Sequence, residues 1–245
     1  FKGASMQTLS IYDSPELLSA KNAMFRSLVT MLICYFLSVV PFVGIIASVV
    51  MLGAAVWYLV GVYKFSKLSN SPVFTYHILM VLITLGLGLM IAMVLIVAAQ
   101  GGAADFGAFI GAVGVVYLID IVLMLWLFWK ICAEISARTN LKQFILAFKF
   151  YVGSFVLAII ACIVVFLAID FSLWAEIFQA SLEQSSLNTL HINELSINTS
   201  LIYAAMLILA LALIATILSF VFYLLGIAKI TEVSVREKPA ASQAS

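Results

Sequence analysis

Long apolar runs fill most of this chain, and short polar or turn-forming stretches interrupt them. The first run is flanked by Lys21 and Arg26 and continues, almost without polar groups, to Tyr63, about twice the roughly 20 residues that one helix needs to cross a bilayer. The stretch Pro41-Phe42-Val43-Gly44 divides this run, because proline disfavours helix at the preceding residue and glycine permits a tight turn. The pattern therefore predicts two helices joined as an antiparallel hairpin.

Four further apolar runs predict four more spans. Glu134 and Arg138 are four residues apart, which predicts that the fourth helix continues beyond the membrane as far as Thr139-Asn140. The spans are predicted at about 22–40, 43–64, 73–99, 107–130, 146–169 and 200–228.

Capping residues predict where the first and last helices begin. Ser14 can cap a helix whose first position is Pro15, and Asn198-Thr199-Ser200 offers caps for the last helix. Residues 1–20 are predicted to be a cytoplasmic segment and 21–230 the transmembrane domain, and 231–245 is predicted to be a disordered cytoplasmic tail.

Composition and charge fix the solvent and the orientation. The chain is 65% hydrophobic and 9% charged, so lipid must be its main solvent, and no basic run indicates a nucleic-acid partner. Under the six-span assignment all 12 Lys and Arg residues lie on one side, which is the cytoplasm. An odd number of spans would scatter them over both sides. The predicted fold is an all-α membrane protein of six transmembrane helices in three tandem hairpins, with cytoplasmic N- and C-termini.

Two helix endings resemble each other. Tyr58 to Ser66 and Tyr223 to Thr231 share the spacing of a tyrosine, a glycine, a lysine and a small hydroxyl residue, and Trp129-Lys130 is a weaker match. One interpretation is a true repeat of three hairpins. The other is that any helix leaving a membrane toward the cytoplasm ends with such residues.

Two motifs carry a family resemblance. Val40 to Ile45 (VPFVGI) and Tyr63 to Phe74 (YKFSKLSNSPVF) resemble the hairpin turn and the helix ending of a prokaryotic membrane family known only as a domain of unknown function. The resemblance implies the topology of a multi-pass protein in a bacterial or archaeal cytoplasmic membrane. It implies no activity.

Asp120 is the ionisable residue predicted near the middle of a span, where a charge costs several kcal/mol. We expect it to face the interior of the helix bundle, level with Gly86 and close to Thr84, with Thr216 at a similar depth. It is either a proton or cation site in a permeation path or a hydrogen-bonded acid that fixes the positions of the helices.

Other polar and small residues have simpler explanations. The glycines of the third and fourth helices predict close packing of that hairpin, with a pore lining as the alternative; they are Gly86, Gly88, Gly107, Gly111 and Gly114. His77 and His191 are predicted to be ordinary polar residues. The three cysteines are predicted to be small buried hydrophobic residues. The aromatic residues near the cytoplasmic boundary predict an interfacial belt, with a quinone or headgroup site as a minor alternative; they are Trp57, Trp126, Trp129, Tyr151 and Tyr223.

The segment 171–187 predicts an amphipathic helix lying on the outer membrane surface. Trp174, Phe178 and Leu182 fall on its apolar face, which either meets lipid or forms a contact for a partner protein.

These features indicate a non-catalytic accessory or scaffold subunit of a membrane complex, with the bilayer and other subunits or a second copy as partners. The alternative is a small-molecule or ion permease that uses Asp120. No catalytic residue set, metal cluster or cofactor motif can be assembled from the sequence, so neither an enzyme nor a cofactor is predicted.

Overall fold

The computed structural model describes residues 9–38, 40, 42–100, 106–168 and 198–235, with the side chains of all but 9, 94–100, 106–113 and 115. Six of its helices are long and apolar enough to cross a membrane, which confirms the prediction of a multi-pass helical protein. The elements in chain order are β1 (Leu9–Tyr12), α1 (Pro15–Leu37), α2 (Val43–Ser69), α3 (Val73–Gln100), α4 (Phe106–Thr139), α5 (Gln143–Ala168), α6 (Thr199–Ala228) and β2 (Glu232–Val235).

Several helix ends lie where the capping residues predicted them. Ser14 has an extended backbone and its hydroxyl accepts a hydrogen bond from the Leu17 amide at 3.1 Å, with Pro15 as the first helical residue. The Asn198 side chain accepts from the Leu201 amide at 3.4 Å. In the last turns of α4, Arg138 Nη2 donates to Glu134 Oε1 at 2.7 Å, as their spacing predicted.

The chain forms two compact units. The first contains Phe1–Met80, Leu127–Phe148 and Ser219–Ser245, and the second contains Val81–Trp126 and Lys149–Leu218. Large side chains such as Phe65, Phe144 and Ile227 are fully buried in the core of the first unit. In the described part of the second unit the buried hydrophobic residues are all alanines, at positions 161, 168, 205 and 212. Such small residues let helices approach closely in lipid.

Helices α1 and α2 form the hairpin that the Pro-Gly turn predicted. In the turn before α2, Phe42 has a positive φ of 64°. The neighbouring Pro41 lies outside the described residues. Further along, a Cβ on Gly61 would lie 2.9 Å from the Met24 amide nitrogen and 3.1 Å from the Ala20 carbonyl oxygen. The two backbones therefore touch at Gly61, where only a hydrogen fits.

The connections α2–α3 and α4–α5 are built alike, with equivalent residues 70 positions apart. Ser66 Oγ donates to the Ser71 carbonyl, and Ser136 Oγ donates to the Leu141 carbonyl at 2.8 Å. One turn later Ser69 and Thr139 each donate to the carbonyl four residues back, at 2.8 Å in both cases. Asn70 and Asn140 then reverse the chain with positive φ values of 48° and 54°. Asparagine tolerates this left-handed conformation better than most residues.

The two strands pair the ends of the described chain. β1 and β2 are antiparallel, with Ser10 opposite Ser234 and Ile11 opposite Val233. The prediction of a disordered tail over 231–245 is thus wrong for Glu232–Val235. The physical reason is that Val233 is fully buried in the core of the first unit and the strand's backbone groups are paired.

Candidate functional site

Asp120 lies on α4, and its surroundings leave one oxygen unsatisfied. The residue is half-buried, while its Oδ1 atom is buried and has no hydrogen-bond partner among the described residues. A buried polar atom without a partner costs about 1–3 kcal/mol, so such an atom is a place where water or a ligand that donates a hydrogen bond would be stabilising.

The residues predicted around Asp120 make other contacts. Thr84 on α3 donates to the Met124 sulfur at 3.9 Å, one turn along α4 from Asp120. Thr216 donates to its own helix, to the Ala212 carbonyl at 3.0 Å. The Thr84–Met124 contact brings α3 beside α4 near Asp120, but neither of these bonds satisfies Oδ1.

The three described glycines of α3 and α4 do not mark a close approach, while the surroundings of Gly107 and Gly111 lie outside the described residues. A Cβ added to Gly86, Gly88 or Gly114 would have no neighbouring atom within 4 Å. The prediction that they pack this hairpin closely is therefore wrong for these three, because a packing glycine has a neighbour's atoms where its Cβ would be. Gly61 and Gly226 have such neighbours.

A polar cluster that was not predicted, with two buried members and a half-buried one, lies in the first unit. It consists of Tyr58 on α2, His77 on α3 and Tyr223 on α6, and we call it the tyrosine–histidine cluster. The Tyr58 hydroxyl lies 2.9 Å from His77 Nε2 and 2.9 Å from the Tyr223 hydroxyl. His77 and Tyr223 are buried, with 8% and 7% of their surfaces exposed. Three helices therefore meet through these side chains.

The hydrogen bonds of this cluster have one consistent direction. His77 Nδ1 lies 2.9 Å from the Val73 carbonyl, which can only accept, so Nδ1 carries the hydrogen of the neutral ring. Nε2 then accepts from Tyr58, and the Tyr58 oxygen accepts from Tyr223. Both imidazole nitrogens and the Tyr58 hydroxyl are thus occupied.

Aromatic rings and a thiol surround the cluster. The Phe144 ring meets Tyr223 edge-on at a centroid distance of 5.4 Å, and Phe128 lies 6.0 Å from Tyr223. The Cys132 side chain is fully buried in the same core. The hydrogen-bonded chain ends on a backbone carbonyl in this apolar shell. It suits a structural junction better than a path for protons.

The sequence pattern did not connect the members of this cluster. Tyr223 was predicted to lie in an aromatic belt and His77 to be an ordinary polar residue, whereas both are buried. One feature of the sequence could have indicated that the two tyrosines belong together: Tyr58 and Tyr223 occupy equivalent positions in the two similar helix endings. Cys34 and Cys132 are buried as predicted, but Cys162 is exposed on the protein surface, so the prediction was wrong there.

Some predicted sites fall in a part of the chain that the structure does not describe. Trp174, Phe178 and Leu182, with the whole segment 171–187, lie outside the described residues. Among the residues that are described, no group of three His, Cys, Asp or Glu could hold a metal ion.

Comparison with known proteins gives no relative for this chain. No family model, no curated protein and no solved structure matches it. The resemblance to the prokaryotic membrane family stays a prediction. In its described residues the chain is α-helical, with six helices long and apolar enough to cross a membrane.

Proposed function

We propose that this chain is a non-catalytic accessory or scaffold subunit of a complex in a bacterial or archaeal cytoplasmic membrane, arranged as three tandem hairpins with both termini in the cytoplasm. The observation that carries the proposal is the tyrosine–histidine cluster. Its buried polar groups bond to one another and join α2, α3 and α6, so they serve to hold helices together.

The distribution of charge supports the proposed orientation. Apart from Lys149, the described Lys and Arg residues all belong to the first unit, which also contains both paired strands. Basic residues collect on the cytoplasmic side of membrane proteins.

A test of the scaffold role is the mass of the assembly extracted gently from its native membranes. We expect a complex of fixed stoichiometry well above the 26.7 kDa of one chain, containing other subunits. The purified chain alone should carry no ion or solute flux in liposomes. A chain that is extracted alone and produces flux would contradict the proposal.

The unsatisfied Asp120 oxygen favours a permease as the second candidate. If Asp120 serves transport, Asp120→Asn should abolish flux in liposomes without unfolding the protein, because the amide keeps the shape but cannot exchange a proton or bind a cation by charge. If Asp120 is structural, Asn should be nearly silent and Asp120→Leu should loosen the contact of α3 with α4. Thr216→Val is a matched control, since the hydrogen bond of the Thr216 hydroxyl lies within its own helix.

A further inference from the structure

The end of α6 repeats the end of α2, 165 positions earlier. Gly61 and Gly226 are both buried, and each has atoms where its Cβ would be. The next equivalent pairs, Val62 with Ile227 and Phe65 with Ile230, are also buried. The end of α4 follows the same pattern with Cys132 and Ile135, which are both fully buried.

The chain continues differently after one of these three helix ends. After α2 and α4 it turns at an asparagine with positive φ and enters the next helix. After α6 comes β2, and its partner β1 leads into α1 through Asp13, whose φ is also positive at 33°. Asp13-Ser14-Pro15 at the start of α1 corresponds in sequence to Asn70-Ser71-Pro72 just before α3. The strand pair thus occupies the place of a connection between hairpins.

We propose that the paired terminal strands are a non-covalent clasp, which takes the place of a third inter-hairpin connection and fastens α1 to the end of α6. This is a conformational device that goes beyond the scaffold role. Unlike the covalent connections after α2 and α4, it can open without breaking the chain.

Contacts on both sides of the strands support the clasp. The Asp13 amide donates to the Thr231 carbonyl at 3.1 Å, and Lys21 Nζ donates to the Ile230 carbonyl at 3.0 Å. Ser234 Oγ donates to the Arg138 carbonyl at 3.1 Å, which ties β2 to the end of α4. Opening the clasp would expose Ile230 and Val233, which are now buried.

A disulfide across the strands tests whether the clasp is formed in the membrane. In a chain whose native cysteines are replaced by alanine or serine, Ser10→Cys with Ser234→Cys should crosslink readily, since the two residues face each other. The crosslink should raise the Tm in detergent by several degrees, because it prevents opening. Ser10→Cys with Glu232→Cys, which are out of register, is the matched control. A folded double variant that does not crosslink, or a crosslink that lowers the Tm, would overturn the proposal.

A circular permutant tests whether the clasp stands in for a connection. The two ends of the full chain, Ser245 and Phe1, are joined by a short flexible linker, and new ends are opened after Asn140, in the connection between α4 and α5. We expect this permutant to be extracted folded with a Tm close to that of the parent, whereas opening the same linked chain inside α5 should prevent folding. If both permutants fail equally while the parent with the same linker appended to its end folds, the clasp is not equivalent to a connection.

Discussion

Tyr58→Phe is expected to destabilise the protein more than the same change at Tyr223, although each removes a single oxygen. Tyr58 is the centre of the cluster, so its loss leaves both His77 Nε2 and the Tyr223 hydroxyl without their described partner. We expect a loss of about 1–3 kcal/mol, against about 0.5–1 kcal/mol for Tyr223→Phe, where Tyr58 still donates to His77. The measurement is the free energy of unfolding in mixed micelles.

The double variant makes this prediction sharper. Once Tyr58 is phenylalanine, the Tyr223 hydroxyl is an orphan, so removing it should restore some stability. Tyr58→Phe with Tyr223→Phe is therefore expected to be at least as stable as Tyr58→Phe alone. Additive losses from the two single changes would show that the hydrogen bonds do not form a connected chain.

Gly61→Ala is expected to be strongly destabilising because of where its methyl group would lie. The added carbon would come within 2.8 Å of Met24 Cγ and 2.9 Å of the Met24 backbone nitrogen. The Met24 side chain can move aside, but the backbone of α1 can shift only by disturbing its packing. The free energy of unfolding should therefore fall by about 1–3 kcal/mol, and by more for Gly61→Leu. The readout is the Tm in detergent together with the free energy of unfolding.

Two other glycines of the same unit provide controls for this prediction. Gly53, also on α2, has no atom within 4 Å of an added Cβ, so Gly53→Ala should be neutral or stabilise by up to about 1 kcal/mol through helix propensity. Gly226→Ala should fall between the two, since the contact is with the Phe144 ring. An equal effect at Gly53 and Gly61 would contradict the close approach of α1 and α2.

Features set by neighbouring residues could be predicted from the sequence. The start of α1 follows from Ser14 and Pro15, and the extension of α4 follows from Glu134 and Arg138, because both depend on groups within one helical turn. The number of helices suited to cross a membrane, six in the described residues, also follows from local composition, since each run either is or is not long enough to cross a bilayer.

Features that depend on distant partners could not be predicted in this way. His77 bonds to Tyr58 and is joined through it to Tyr223. The residues next to His77 in the sequence do not indicate that a tyrosine of α6 lies nearby. Glu232–Val235 is a strand only because Leu9–Tyr12 lies beside it. Gly86 and Gly61 both lie within apolar stretches of the sequence. Of these two, Gly61 has the backbone of a neighbouring helix where its Cβ would be, and Gly86 does not.

Cysteine accessibility tests most directly whether α2 crosses the membrane with the proposed orientation. In the cysteine-free chain, single cysteines are placed at Ser38, between α1 and α2, and at Lys67, near the end of α2, which are both exposed. Intact cells are treated with a membrane-impermeant maleimide before and after permeabilisation. The six-span arrangement predicts that Ser38→Cys is labelled from outside and that Lys67→Cys is labelled only after permeabilisation. Labelling of both from the same side would contradict it.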